Sequence, residues 1–173
     1  MKPIVFLHIP KTAGQTIHSE LARVIGAPHV SPIRVHTQAA RGPGHAAAQL
    51  PPGYRLYSGH LDWTALDSLP EDRFVFSVLR DPWERIASFY FYMLEQAQGL
   101  DAATLEDPSR IGFRMILTHS ADDYFFGGDV QWQQFILDHY DNFYCSYFAT
   151  RKMRVGGGDE QGFVEKYTRV KMA

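Results

Sequence analysis

Six residues between positions 11 and 88 of this 173-residue chain carry groups that hold anions or move protons: Lys11, Thr12, Thr16, His60, Arg80 and Ser88. Three of them fall in the string Pro10-Lys11-Thr12-Ala13-Gly14-Gln15-Thr16. A loop of this composition that opens a helix brings an ammonium, two hydroxyls and unpaired backbone N–H groups to one place. The positive end of the helix dipole points the same way, so the chemistry on offer is the binding of a phosphate-like anion. Arg80 adds a planar fork of donors matched to phosphate oxygens. His60 adds a neutral imidazole able to accept a proton near pH 7.

Each group needs an element to hold it. Ile4 to Ile9 is a short apolar run bounded by prolines, which predicts a buried strand of a parallel sheet leading into the lysine loop. A helix is expected from about Gln15 to Ile25. Phe74 to Leu79 predicts a second buried strand, with Arg80 at its carboxyl end, where ligands bind in open α/β sheets. Asp81, Pro82 and Glu84 then read as cap, first helical position and capping-box partner. Apolar residues recur at Ile86, Phe89, Tyr90, Met93, Leu94 and Ala97, a helical stripe that leaves Ser88 on the polar side with Glu84. Tyr54 to Tyr57 predicts a third short strand, followed by Gly59 and His60. The expected fold is α/β: one domain over residues 1–173, a three-layer sandwich with a mostly parallel sheet, similar in plan to P-loop nucleotide kinases.

The lysine loop lacks the Walker pattern G-x-x-x-x-G-K-[ST], since Lys11 precedes Gly14. It resembles instead the 5′-phosphosulfate loop of the sulfotransferases that use 3′-phosphoadenylyl sulfate (PAPS). The likeness is to the carbohydrate branch containing heparan sulfate 2-O-sulfotransferase, which reads H-I-P-K-T-[GA]-G-T-S; Gln15 stands where that pattern has Thr or Ser. Arg80-Asp81-Pro82 through Arg85, Ser88 and Tyr90 resembles the family's 3′-phosphate motif, R-D-P-x-x-R-x-x-S-x-[YF]. The resemblance implies that Pro10, Lys11, Thr12, Ala13, Gly14, Gln15 and Thr16 hold the 5′-phosphosulfate of PAPS. It implies that Arg80 and Ser88 grip its 3′-phosphate and that His60, in the Gly-His segment between the motifs, is the catalytic base beside Lys11. Arg85 matches the second arginine of the motif, with a solvated or salt-bridged helix residue as the alternative.

His8 is the rival base; strand alternation places it with Phe6 and Ile4, and a packed, hydrogen-bonded histidine is the favoured account. Asp62 is expected at the surface, since adjacent side chains in an extended segment diverge from His60. The remaining histidines have no metal-ligand spacing and Cys145 is the single cysteine, so neither a zinc site nor an intrachain disulfide is expected. Cys145 is expected to be a small buried hydrophobe. With 17 basic against 19 acidic side chains, the chain does not carry the basic surface of a nucleic-acid binder. It shows no stretch with the length and apolarity of a membrane span and no signal peptide before the first strand, so a cytoplasmic enzyme of bacterial type is expected.

Gly26 to Gly53 is rich in turn formers and reads as a long loop, with room for a short strand at Ile33 to Val35. Helices are expected around Ile111 to Leu117 and Asp129 to Leu137, with Trp132, Phe135, Ile136 and Tyr140 forming core. Asp141-Asn142-Phe143-Tyr144 resembles a family stretch D-N-x-x-[VCT]-R, but Ser146 stands at the arginine. The family resemblance covers about Ile4 to Phe148. Residues 156–173 depart from it, an end that reads as abbreviated.

Taken together, the expected activity is sulfuryl transfer from PAPS to a hydroxyl acceptor, a carbohydrate by resemblance, with His60 as base and no metal. Two alternatives stay open: an ATP-dependent P-loop-type kinase, and a truncated module that binds a nucleotide without catalysis. A homo-oligomer, or a partner subunit completing the cofactor site, also stays open.

Overall fold

The computed structural model describes residues 2–35, 38, 40–41 and 48–153. The expectations for residues 156–173, and for 36–37, 39 and 42–47 within the long loop, lie outside the described residues. The fold is α/β, and the chain forms two compact units. The first runs from Met1 to Asp81 and takes in Arg151–Met153; the second contains Pro82–Thr150.

Three parallel strands build the first unit: β1 (Ile4–Leu7), β4 (Leu56–Gly59) and β5 (Phe74–Ser77), in the order β4-β1-β5. Leu7 is in register with Gly59 on one side and Ser77 on the other. Val5, Phe6 and Leu7 are buried, as a central strand covered on both faces requires. Phe6 stacks on its register partner Phe76 at 4.9 Å. β5 forms as expected but is not a buried strand: Phe74 is exposed and the rest only half-buried. Among the described residues it pairs on one edge only, and a run of apolar letters does not distinguish an edge strand from a central one.

Helix α1 (Gly14–Ile25) follows the lysine loop and packs on β4. The stretch expected as a long loop is more ordered than its composition suggests. A 3₁₀ turn spans Ala27–His29, Val30 and Val35 make parallel bridges to Leu56 and His60, and β2 (Ala40–Arg41) pairs antiparallel with β3 (Ala48–Gln49). Gly59 makes this close approach possible, because a Cβ there would lie 2.1 Å from the carbonyl oxygen of Arg34. Past β4, a 3₁₀ segment spans Trp63–Ser68. Residues 151–153 close against it: Thr64 donates its N–H to Arg151, Arg151 pairs with Asp67 at 2.8 Å, and the Met153 N–H donates to the Asp62 carboxylate at 2.7 Å.

The second unit is helical: α2 (Pro82–Gln98), α3 (Ala102–Leu105), α4 (Ile111–Thr118), α5 (Ala121–Phe126), α6 (Val130–His139) and α7 (Phe143–Thr150). Its core joins Phe89, Met93 and Ala97 of α2 to Ile116, Tyr124, Trp132, Ile136 and Tyr140. Asp129 caps α6 by accepting from the Trp132 amide, and the Trp132 indole N–H donates to the Tyr124 carbonyl. Phe89, Met93 and Ala97 of the expected stripe are buried, Ile86, Tyr90 and Leu94 pack half-buried beside them, and Arg85, which the stripe did not include, heads the buried row. Arg85 is therefore not a solvated helix residue. It is 2% exposed, donates to the His139 carbonyl at 3.0 Å and lies 4.1 Å from the centre of the Phe143 ring. Cys145 is exposed, against the expectation of a buried thiol. Its position on α7 faces out, and a lone cysteine gives the sequence no cue to orientation.

Candidate active site

Parallel register brings three strand ends to one edge of the sheet. Leu7 is followed by His8 and the lysine loop, Gly59 by His60, and Ser77, three residues on, by Arg80. Adjacent strands lie ~4.8 Å apart, so the order β4-β1-β5 sets the loop between the histidine strand and the arginine strand. The Ser77 hydroxyl donates to the Leu7 carbonyl at 2.7 Å and ties the β1 and β5 ends together. Ser88 belongs to α2 in the second unit, seven positions into that helix, and is half-buried.

The lysine loop is conformationally unusual. Lys11 and Ala13 both have positive φ, 69° and 62°, the left-handed region that side chains rarely adopt. Two such residues in three turn the loop back on itself, a cost typical of sites that hold a ligand. Ala13 caps α1 without a side-chain hydrogen bond, and the first turn of α1 holds no acidic residue. Its leading amides and dipole are thus left without a side-chain cap from Ala13, an arrangement that suits an anion. Thr12 is buried and its hydroxyl donates to the Ile9 carbonyl at 2.8 Å, so its O–H proton braces the loop. Pro10 and Lys11 are half-buried, while Ala13, Gln15 and Thr16 are exposed at the start of α1.

Gly14 is buried against the His8 ring. A Cβ at residue 14 would lie 1.7 Å from His8 Cδ2, so only glycine lets the helix start this close. His8 in turn stacks on His60, with ring centroids 4.2 Å apart. The His60 Nδ1 lies 2.7 Å from the His8 carbonyl oxygen. A carbonyl only accepts, so Nδ1 carries the proton, and the lone pair of the neutral ring is on Nε2. That is the tautomer a general base on Nε2 requires. The His60 backbone N–H is held by the Arg34 carbonyl at 2.8 Å. Asp62 is half-buried and engaged with the Met153 amide.

Two residues join this cluster that the sequence did not single out. His18, one turn after Gly14 on α1, places Nδ1 3.0 Å from the Ser58 hydroxyl, and the Arg34 guanidinium contacts its Nε2. Guanidinium donates only, so Nε2 accepts and Nδ1 donates to Ser58, which fixes His18 as neutral. Burial first, then the Arg34 charge, lowers the His18 pKa. His8 is pushed down to about 4, by burial first and then by His60, Arg34 and His18. Both shifts favour the uncharged rings of His8 and His18. The only sequence signal for the grouping was Ser58, two residues before His60 on the same face of its strand.

The second unit has its own cavity of about 600 Å³, walled by Trp83, Arg85, Phe126, Tyr140, Phe143 and Cys145 among others. Among the described residues, no group of His, Cys, Asp or Glu is arranged to hold a metal ion. None of their helices is long and apolar enough to cross a membrane.

A family model described as the sulfotransferase family matches residues 1–143. The chain belongs to the sulfotransferase family. The match spans the lysine loop, the Gly-His segment and the Arg80 motif, and the parallel sheet with its helices agrees with the sulfotransferase fold. Sulfotransferases move a sulfuryl group to an acceptor, and the family generally takes it from PAPS. No curated protein and no solved structure matches this sulfotransferase.

Proposed function

We propose that this sulfotransferase moves the sulfuryl group of PAPS to a hydroxyl on a carbohydrate, by in-line displacement with His60 as general base. PAPS would supply the sulfuryl group on a phosphate leaving group. The loop suits it: two left-handed residues and an uncapped helix start make a cradle for its 5′ end. Backbone amides from Thr12 to Thr16, with the Thr16 hydroxyl, hold the phosphosulfate. Arg80 and Ser88 take the 3′-phosphate. Lys11 places its ammonium against the bridging oxygen, where charge grows as the S–O bond breaks. His60 Nε2 removes the acceptor proton as the acceptor oxygen bonds to sulfur. The electron pair of the broken bond stays with the phosphate, giving adenosine 3′,5′-bisphosphate.

The observation that carries this reading is the hydrogen bond from His60 Nδ1 to the His8 carbonyl. It prepares the opposite nitrogen as a base one strand away from the anion loop. Labelled-sulfate transfer from PAPS over a panel of sugars tests it, with Lys11→Ala and His60→Ala alongside. Transfer by the wild type that both variants lose is the expected result. Equal background from all three proteins would leave a binding module, and transfer of phosphate from ATP would leave a kinase.

A further inference from the structure

The group left over by this mechanism is the imidazole of His8. It is 4% exposed, and among the described residues nothing hydrogen-bonds to either of its ring nitrogens. Only its backbone is engaged: the N–H donates to Gly59 and the carbonyl accepts from His60. Buried polar groups are almost always hydrogen-bonded. A ring that packs in this way and hydrogen-bonds to none of the described residues is prepared for a partner that arrives from outside.

Its position says which partner. One side of the ring stacks on His60, and an edge meets Gly14, where Nε2 would lie 1.9 Å from an added Cβ. Nε2 is thus against the first residue of α1, on the anion loop, while the ring touches the base. A group held by the loop and attacked by an oxygen that His60 deprotonates has to lie beside this nitrogen. We infer that His8 is a further catalytic residue, whose ring N–H donates a hydrogen bond to a non-reacting oxygen of the transferring sulfuryl group. The inference rests on the reading of PAPS as donor and His60 as base. His8 itself neither gains nor loses a proton in the step. Its low basicity, with the Arg34 and His18 groups of α1 and the β4 flank facing it, keeps it a neutral donor, as suits a polariser of a reacting oxygen.

His8→Phe is the decisive variant. It keeps the stacking ring and, because His60 is held by the main chain, the tautomer of the base; it deletes the ring nitrogens alone. Calorimetry without acceptor is compared for PAPS and adenosine 3′,5′-bisphosphate, which differ by the sulfuryl group. The expected result is bisphosphate affinity unchanged and PAPS affinity weakened about two- to tenfold, the worth of one neutral hydrogen bond. The turnover number should fall with it, and His8→Gln, which restores an N–H donor, should recover part of both. Wild-type preference for PAPS retained in full by His8→Phe overturns the inference. Equal loss of both ligands also overturns it, since that reports a purely structural ring. A wild type that binds neither nucleotide overturns instead the donor reading on which it rests.

Discussion

The imidazoles of His8 and His60 lie 4.2 Å apart, and the proton on His60 Nδ1 points at the carbonyl of His8 itself. His8, the residue just past the first strand, thus fixes both the plane and the tautomer of the neighbouring His60 ring. The spacing follows from register, since Leu7 pairs with Gly59 and the two histidines come next.

His60→Ala should lower the turnover number by about 10²–10⁴, the usual worth of a positioned base. Affinity for adenosine 3′,5′-bisphosphate should not change, because in the proposed mechanism His60 meets the acceptor. Single-turnover sulfate transfer measures the first and calorimetry the second; wild-type turnover in the variant would remove His60 from the mechanism.

Lys11→Ala and Arg80→Ala should differ in kind. In the proposed mechanism the lysine acts on charge that grows in the transition state, so its loss should cut turnover by about 10²-fold or more and bisphosphate affinity much less. Loss of Arg80, an exposed side chain, should weaken bisphosphate binding by about 1.5–3 kcal/mol, the range of charge-assisted hydrogen bonds. Normal bisphosphate binding by Arg80→Ala would withdraw its assignment to the 3′-phosphate.

Gly14→Ala should disturb stability and activity together. Its Cβ would overlap the His8 ring, and forcing extra volume into a packed site costs about 1–3 kcal/mol. Thermal unfolding should register the loss. A variant as stable and as active as the wild type would show that the helix start is not held against that ring.

Acid should weaken the fold through His8. In the unfolded chain its ring takes up a proton as pH falls through 6.5; in the folded protein it does so only near 4. The unfolded state therefore binds more protons between these values. Stability present above pH 6.5 is lost on the way down, by an amount on the order of 2–3 kcal/mol at pH 4.5. Urea unfolding of the wild type and His8→Phe at pH 7.5 and 4.5 isolates the effect: the variant should lose less. Identical losses would mean that the ring is not held neutral.

What was legible in the sequence was local. The strand, the loop and α1 follow one another within 22 residues, so apolar run, turn formers and helix periodicity are all visible together. The α/β class followed from that pattern. Less legible was whatever depends on which strand lies beside which. Phe74 belongs to an apolar run yet is exposed, because among the described strands β5 is an edge. Arg34 meets His18 only after the chain between Val30 and Val35 lies along β4, and nothing in its flanking residues announces that pairing. Arg85 looked like surface because charge usually means solvent, whereas here ring faces and a carbonyl receive it.

The carboxylate of Asp62, two residues from His60, is engaged by the amide of Met153, ninety-one positions later in the chain. The neighbourhood of His60 is consequently finished only after residue 153 has been made. A ribosome that has released the first eighty-one residues has made the three described strands of the parallel sheet, but the flank next to His60 waits until the helical unit has been translated and the chain has come back.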